Sequence, residues 1–587
     1  MFKIIKNLTI KDVIFCLIAL VLIVGQVYLD LKTPDYMSKI TELVTTGGLM
    51  KDILIQGAYM LLCTLGGLVL AVSIGYITAR VGTNFSKVLR RKIFKKVNSF
   101  NMGEIKGFST SSLITRSTND VMQVQNFITM GLQMAVRSPI MAIWAITKIA
   151  NKGFEFSIVT AFGVSIIIVM ITILLVSVLP KFKLIQTLTD DLNNTTRENV
   201  TGIRVIRAFN AEKFHQKRFN KANNSLTNIH MYIQKRLALM SPTMTLVMQS
   251  LSLGIYVIGV LLINKTINPA DKITVFGNMV VFTSYAVQVI FSLIMLIVVF
   301  VFYPRAAVSA NRINEVLETD TTIKDGLVDH DVNNVKGEVE FKNVSFKYPD
   351  AEEYILNDIS FKANKGETIA FIGSTGSGKS TLINLIPRFY DATKGEVLVD
   401  GVNVREMKLS YLYNKIGYIS QKPVMFKKSI KDNISFGKCA SGKASDKDIT
   451  DALKYAEASS FVKKLEGQET YEIAQGGNNV SGGQKQRLSI ARAIARKPEI
   501  FIFDDSFSAL DYKTDYELRK NLKKYLKDST VFIVAQRIGT IKNADKIIVL
   551  DNGTCVGMGT HHELLKTCEV YKEIAESQLS KEELENA

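Results

Sequence analysis

The stretch TIAFIGSTGSGKST, residues 368–381, decides the fold of the second half of this chain. An apolar strand is predicted from Thr368 to Ile372, and it leads into a Gly-x-x-x-x-Gly-Lys-Ser pattern at 373–380. The residues after this pattern favour a helix. In such a strand–loop–helix unit, the glycines let backbone N–H groups turn toward phosphate oxygens, and the helix N-terminus adds positive potential. The stretch therefore predicts an α/β nucleotide-binding domain of the P-loop class.

The residue types in this loop indicate ATP with Mg²⁺ as its ligand. Lys379 is expected to reach the β- and γ-phosphates, and the Ser380 hydroxyl is expected to hold Mg²⁺. A second apolar run, 500–503, ends in Asp504-Asp505, and a carboxylate at a strand end suits a further Mg²⁺ ligand. The predicted nucleotide-contacting residues of the loop are Gly373, Ser374, Thr375, Gly376, Ser377, Gly378, Lys379, Ser380 and Thr381.

The first half of the chain reads as a membrane domain. The 587 residues exceed one ordinary domain, and long apolar runs fill the chain up to about residue 305. A helix that crosses a membrane needs about 20 mostly apolar residues. Six stretches qualify: 13–31, 54–79, 129–150, 156–179, 243–264 and 273–303. The predicted fold is an α-helical six-span transmembrane domain with long cytoplasmic helical loops (1–307), a linker (308–335) and an α/β P-loop ATPase (336–587).

The distribution of charge predicts the orientation in the membrane. The formal net charge is +18, and many of the surplus Lys and Arg lie in two segments between apolar runs, around 80–116 and 181–236. This pattern is typical of cytoplasmic loops under the positive-inside rule, and it argues against a nucleic-acid partner. We expect a multi-pass protein of the cell membrane with both termini and the ATPase half in the cytoplasm. The five scattered cysteines, without a CxxC spacing, support neither a disulfide framework nor a zinc site.

The predicted spans carry almost no ionisable side chains, which favours ATP over an ion gradient as the energy source. Polar residues do occur on the last two spans, and two interpretations of them stay open. They line a substrate path, or they form hydrogen bonds between helices. These residues are Gln249, Ser250, Asn278, Thr283, Ser284, Tyr285 and Gln288.

The segment Val480-Ser-Gly-Gly-Gln484 resembles the LSGGQ signature of the ATP-binding cassette (ABC) superfamily, with Val at its first position. The cassette resemblance covers about 336–575, and the six-span half resembles multidrug-type exporters. The resemblance implies a helical subdomain in the cassette and a first coupling helix near Thr110–Arg116. It also implies that Tyr348 stacks on adenine and that Gln421 contacts Mg²⁺. Two cassettes of this family sandwich two ATP molecules, and each phosphate loop faces the other chain's signature, here Ser481, Gly482, Gly483 and Gln484.

Two positions depart from the family pattern. In this family the aspartate at the strand end, here Asp504, is called the Walker B aspartate. The residue after it is usually a Glu that acts as general base, and here it is Asp505. Its carboxylate lies one C–C bond, ~1.5 Å, further back, although a base must lie within about 2.6–3.2 Å of its proton. The usual switch histidine is Gln536, which can donate a hydrogen bond but cannot carry a positive charge.

These departures predict slow hydrolysis at the chain's own site, with Asp505 and Gln536 in the places of base and switch. A homodimer would repeat both defects in both sites. The nearly intact signature instead predicts a heterodimer, in which it completes the competent site of a homologous half-transporter. The expected function is ATP-driven export of an amphipathic or apolar small molecule by alternating access. The alternative is a homodimeric slow ATPase that acts as a sensor or gated channel.

Overall fold

The computed structural model describes residues 1–150, 154–332, 335–437 and 442–579. Cys439, the turn at 151–153 and the last eight positions of the predicted ATPase domain lie outside these residues. The described chain forms two compact units. The first unit consists of Met1–Asn98 and Thr110–Thr319, and the second unit of Ser99–Ser109 and the described residues from Asp320 onward.

The described residues up to Thr319 form helices and the short connections between them, and no strand occurs among them. The helix that contains the first predicted span begins at a capping box, in which the Thr9 side chain and Asp12 satisfy each other's backbone N–H groups. The helices are α1 (Phe2–Ile5), α2 (Ile10–Thr45), α3 (Met50–Asn98), α4 (Met102–Gly107), α5 (Thr110–Thr115), α6 (Val121–Met130), α7 (Val136–Ala150), α8 (Phe154–Thr201), α9 (Ile203–Ala208), α10 (Glu212–Ala238), α11 (Met240–Lys265) and α12 (Pro269–Glu318).

Five described helical segments are long and apolar enough to cross a membrane. They contain the first, second, fourth, fifth and sixth predicted spans, so the prediction of a multi-span helical domain is confirmed. The third predicted span, 129–150, has a different form. It belongs to a continuous helical segment, Thr110–Ala150, which contains two π-helical turns, Arg116–Asp120 and Gly131–Ala135. The second π-helical turn leaves α7 with only 15 residues after it.

The expectation of nearly uncharged spans needs a correction. Asp30, in the first predicted span, pairs with Arg137, in the third, at 2.9 Å between carboxylate and guanidinium. Lys148, also in the third span, pairs with Asp35 at 3.0 Å. Both ion pairs join α2 to α7. Because each charge has a partner on the neighbouring helix, the cost of placing it among apolar spans is reduced.

The second unit contains two sheets. A four-stranded antiparallel sheet has the order β2-β1-β4-β5, and a six-stranded sheet has the order β10-β9-β3-β8-β7-β6. All neighbours in the larger sheet are parallel except β9 and β10. The strands are β1 (Val339–Phe346), β2 (Leu356–Ala363), β3 (Thr368–Gly373), β4 (Lys394–Val399), β5 (Val402–Asn403), β6 (Ile416–Ile419), β7 (Ile500–Asp504), β8 (Thr530–Val534), β9 (Lys546–Asp551) and β10 (Thr554–Gly559).

Helices cover the larger sheet and form the predicted helical subdomain between β6 and β7. The helices are α13 (Lys379–Ile383), α14 (Leu409–Lys415), α15 (Ile430–Ile434), α16 (Asp446–Tyr455), α17 (Ser459–Val462), α18 (Gly482–Ala495), α19 (Tyr512–Tyr525), α20 (Ile538–Ile541), α21 (His561–Thr567) and α22 (Glu569–Glu576). This arrangement confirms the predicted α/β cassette.

The buried core fixes the two strand ends that carry the site. Ile369 and Phe371 of β3 and Ile502 of β7 are fully buried. Strands β3 and β7 both pair with β8 in parallel. Because parallel strands end at the same edge of a sheet, ligands bind there, and the loop after β3 meets the acidic end of β7 at that edge.

A buried lysine ties the segment after residue 320 to the sheets. Lys415, with its side chain 5% exposed, lies 2.7 Å from Asp331, 2.8 Å from Asp400 and 2.9 Å from Glu499. Hydrogen bonds from Lys415 and Tyr411 lower the pKa of Asp331 to about 2. Because this pKa is depressed in the folded state, the contribution of Asp331 to stability is present above about pH 4 and is lost as the pH falls toward 2.

We expect Lys415→Met to destabilise the second unit by about 3–5 kcal/mol, because it removes the buried cation that three carboxylates share. The measurement is the unfolding midpoint of the purified protein in detergent at neutral pH. The matched control is Lys431→Met, which removes a cation from an exposed pair with Asp446. That change should cost far less, because solvent screens an exposed ion pair. Equal shifts for the two variants would contradict the role of Lys415.

Candidate functional site

The phosphate loop is shaped by glycines in left-handed conformations. Gly373, Gly376 and Gly378 have φ angles of 151°, 90° and 95°. A Cβ atom on Gly373 would lie 1.9 Å from the carbonyl oxygen of Leu550, so no larger residue fits there. The exposed rim of the loop is formed by Ser374, Thr375 and Gly376. The loop therefore presents its backbone to solvent in the conformation that a phosphate cradle requires.

Lys379 lies inside this loop. Its ammonium donates to the carbonyl oxygens of Gly373, at 2.9 Å, and Ser374, at 2.6 Å, and to Ser377 Oγ at 3.2 Å. Burial lowers the pKa of Lys379, and the nearby Asp505 and Asp504 oppose this shift. Anionic phosphate oxygens in the loop would compete with these carbonyl oxygens for the ammonium and would stabilise its charge.

A hydroxyl and a carboxylate form a pair of hard oxygen ligands beside the loop. Ser380 Oγ donates to Asp504 Oδ1 at 2.7 Å, and the Tyr418 hydroxyl donates to Asp504 Oδ2 at 3.3 Å. Burial raises the pKa of the Asp504 carboxyl. No cluster of three or more His, Cys, Asp or Glu suited to a metal occurs among the described residues. This donor set fits Mg²⁺, which takes one or two protein oxygens and completes its octahedron with phosphate and water oxygens.

Gln421, Asp505 and Gln536 form one hydrogen-bonded group, which we call the amide–carboxylate triangle. Asp505 Oδ2 accepts from Gln421 Nε2 at 3.1 Å and from Gln536 Nε2 at 3.0 Å. Asp505 is only 8% exposed, and its φ angle is 47°. The sequence predicted these three residues as a metal contact, a base and a switch with separate roles. Their mutual bonds were not predicted, because 84 and 31 positions separate the partners along the chain.

Tyr348 lies beside the helix that follows the loop. Its hydroxyl is 3.1 Å from Thr381 Oγ1, and its ring packs edge-on against Phe346 and Tyr390 at centroid distances of 5.0 and 5.2 Å. The ammonium of Lys106 lies 4.2 Å from the centroid of the Tyr348 ring. The ring is therefore held rigidly, and one of its neighbours is a cation that the sequence did not identify.

The segment that carries Lys106 belongs to the second compact unit. Residues Ser99–Ser109, with α4, belong to the same compact unit as the cassette, whereas Thr110–Arg116 belong to the helical unit. Glu104 Oε1 accepts hydrogen bonds from the backbone N–H and the hydroxyl of Thr322, at 2.8 and 2.7 Å. The segment that packs within the cassette unit thus begins about eleven residues before the predicted first coupling helix.

We expect Tyr348→Ala to weaken ATP binding, because stacking of a base on an aromatic ring contributes about 1–3 kcal/mol. This corresponds to a rise in Kd of about 5- to 150-fold. Tyr348→Phe keeps the ring and loses only the contact with Thr381, so its Kd should change by less than about threefold. The measurement is titration of the purified protein with a fluorescent ATP analogue. Equal losses for the Ala and Phe variants would rule out ring stacking.

The signature residues form the exposed start of α18. Ser481 Oγ accepts from the backbone N–H of Gln484 at 3.3 Å, and the Gln484 side chain accepts from the Ser481 N–H at 2.8 Å. Ser481 and Gly482 are exposed, and a Cβ atom on Gly482 would meet no atom within 4 Å. Within the described residues, no hydrogen bond joins Ser481, Gly482, Gly483 or Gln484 to the phosphate loop. This capped, open helix start is available to a second molecule.

The chain is similar to known proteins over nearly its whole length. Sequence profiles described as ABC transporter transmembrane region and ABC transporter match residues 16–293 and 356–508. An uncharacterised ABC transporter ATP-binding protein of Mycobacterium bovis is 36% identical over 550 residues, which cover 92% of this chain and 93% of that protein. YgaD of Bacillus subtilis, a putative multidrug export ATP-binding/permease protein, is 32% identical, with 83% of each chain covered.

The fold is also similar to that of a solved structure. A bacterial Atm1-family ABC exporter with ATP bound superposes with a TM-score of 0.79 at 22% sequence identity, and the match covers 97% of this chain and 98% of that chain. At this level of identity the likeness concerns the fold alone. It extends across both the helical half and the cassette.

Proposed function

The chain belongs to the ABC transporter family, as a multi-pass membrane protein with an ATP-binding cassette, and on that premise we propose that it is the slow-hydrolysing subunit of a heterodimeric exporter. Its own site binds MgATP and turns it over slowly. Its signature completes the competent site of a homologous half-transporter. The observation that carries this proposal is the amide–carboxylate triangle, which occupies the position of the catalytic base.

The nucleotide-binding roles follow from the geometry of the loop. Lys379 and the backbone N–H groups of 373–381 bind the phosphates, and Tyr348 stacks on the adenine. Ser380, Asp504 and the amide oxygen of Gln421 would hold Mg²⁺, which would supply positive charge against the phosphates. These residues provide what ATP binding requires, and none of them departs from the family pattern.

The triangle explains why hydrolysis should be slow. Asp505 starts ~1.5 Å further from the γ-phosphate than a Glu would, and misplacement of a catalytic group by about 1 Å can cost roughly a hundredfold in rate. One of its two oxygens already accepts from both amides. A water molecule would have to compete with these donors for the carboxylate. Gln536 supplies a neutral donor where a histidine would supply a cation.

The transport cycle follows from the exposed signature. ATP bound at this chain's loop would hold the two cassettes together, while Ser481 and its neighbours would contact the γ-phosphate of the nucleotide on the partner. Closure and reopening of this sandwich would alternate the access of the membrane helices to the two sides. We propose an amphipathic or apolar small molecule as the substrate and a cytoplasmic position for the cassette and both termini. The division into 1–307, 308–335 and 336–587 is part of this proposal.

The experiment is purification through a tag on this chain from the membranes of its own cell. We expect a second half-transporter in equal amount, with Glu and His at the positions of Asp505 and Gln536. Recovery of a stable self-dimer that hydrolyses ATP without a second protein would overturn the heterodimer. It would favour a homodimeric ATPase acting as a sensor or gated channel.

A further inference from the structure

A cavity with mixed polar and apolar walls opens in the helical unit between α2, α3, α7 and α12. Its volume is about 740 Å³, within the range of small-molecule sites in proteins. Met37, Met60 and Met141 supply flexible apolar contacts on its wall. Asp30, Arg137 and Gln288 supply the polar groups.

The polar residues on the last span fall into two groups at this cavity. One group forms contacts between helices, and the other lines the cavity. The Tyr285 hydroxyl lies 2.9 Å from the carbonyl oxygen of Leu31 and 2.8 Å from Asp35, either of which can accept its one proton, and this makes it a contact between helices. Gln288 and Ser284 line the cavity instead. Gln288 Oε1 is a buried acceptor without a hydrogen-bond partner in the described part of the chain. A buried acceptor of this kind is costly unless a ligand or water satisfies it.

The ion pair between Asp30 and Arg137 on the cavity wall has hydrogen-bond donors and an acceptor that no described residue uses. Only one guanidinium nitrogen of Arg137 bonds to Asp30, through Oδ2 at 2.9 Å. Among the described residues, the other nitrogens of Arg137 and the Oδ1 atom of Asp30 have no hydrogen-bond partner. The side chains of Arg137 and Asp30 are 43% and 28% exposed. The cavity therefore presents free donors on a cation beside a free acceptor on an anion.

We propose that this cavity binds an amphipathic compound with a zwitterionic head group. Its anionic group pairs with Arg137, and its ammonium group bonds to Asp30 Oδ1. The methionines contact its apolar part. This inference rests on the proposed export function and names the substrate class of that function.

The argument for both charges in one ligand is electrostatic. A ligand with only a cation would compete with Arg137 for Asp30 and would leave the guanidinium without a counter-charge at membrane depth. A ligand with only an anion would do the same to the carboxylate. Leaving one charge of this pair uncompensated among apolar spans is expensive. A zwitterion compensates both charges at once.

The test uses three dansyl compounds that share one tail. Dansyl-lysine has free amino and carboxyl groups, dansylcadaverine lacks the carboxyl group, and dansyl-aminohexanoic acid lacks the amino group. Each is titrated by fluorescence against the purified full assembly in lipid nanodiscs without ATP. We expect dansyl-lysine to bind at least about tenfold tighter than either single-charge probe, because it gains one more charge-assisted contact. Arg137→Gln should remove its advantage over dansylcadaverine, and Asp30→Asn its advantage over dansyl-aminohexanoic acid.

The matched control is Lys148→Gln, which breaks the other ion pair between α2 and α7 outside the cavity wall. It should leave dansyl-lysine binding unchanged. The charge-swapped variant Asp30→Arg with Arg137→Asp keeps a pair in place and should retain the preference for the zwitterion. Equal affinity for the three probes, or equal losses in Lys148→Gln and Arg137→Gln, would overturn the inference. Because binding is measured without ATP, failure of the heterodimer scheme would leave this result unaffected, and failure here would leave that scheme standing.

Discussion

Asp505→Glu combined with Gln536→His is expected to raise ATP hydrolysis at this chain's own site by at least about a hundredfold. The longer side chain moves the carboxylate ~1.5 Å forward, and recovery of about 1 Å in the position of a catalytic group is worth roughly this factor. The imidazole adds a donor that can carry a positive charge beside the γ-phosphate. Gln536→His also removes one of the two amide donors of the amide–carboxylate triangle.

The measurement must separate this site from the partner's site. Gly482→Glu in the same chain should disable the partner's site, so that the remaining hydrolysis comes from the loop at 373–381. In that background, ATPase rates of the purified assembly are compared with and without the double substitution. Asp505→Asn with Gln536→His is the matched control and should give no gain, because it supplies no base. An unchanged rate in the Glu and His variant would refute the assignment of the slow site.

Gly482→Glu by itself is the second large effect that we expect. It should lower ATP-driven transport by the assembly at least about a hundredfold, because it places a negative charge where a partner's nucleotide needs a donor. The side chain fits without disturbing the fold, since nothing lies within 4 Å of an added Cβ. Lys379→Met should reduce transport less than about tenfold, because the site it damages is the one that we propose to be slow. Transport is measured in vesicles that contain both subunits.

Gly482→Ala is the control for this position and should retain most of the transport activity, because it adds neither bulk nor charge. The order of the two effects tests the asymmetry of the assembly. In a homodimer every site would use both the loop and the signature, and Lys379→Met would be as damaging as Gly482→Glu. Equal losses would therefore contradict the heterodimer.

Local patterns predicted the parts of this fold that depend on neighbouring residues. The strand before Gly373 and the acidic end of β7 follow from apolar runs and their end residues. Five of the predicted spans likewise coincide with long apolar helices. The third span was harder to predict, because its helix includes π-helical turns that have no simple apolar period.

Contacts between residues that are far apart in the chain could not be predicted from the sequence. Lys106 and Tyr348 are far apart in the chain, and a lysine in a basic loop gives no sign that it covers an aromatic ring. Arg137 and Asp30 are 107 positions apart in the chain, and each is the partner that the other requires. Pairing of this kind depends on helix packing, which a single sequence does not specify.

The amide–carboxylate triangle has a consequence for the evolution of this site. Aspartate and glutamate codons differ at the third base, and so do glutamine and histidine codons, which places fast hydrolysis two point mutations away. Asp505 is bonded to both Gln421 and Gln536, so either mutation alone breaks a hydrogen bond before the other can supply its function. Effects of residues in one hydrogen-bonded group are not additive. Epistasis between positions 505 and 536 would therefore hold the site in its slow form, even though the genetic distance to a fast form is short.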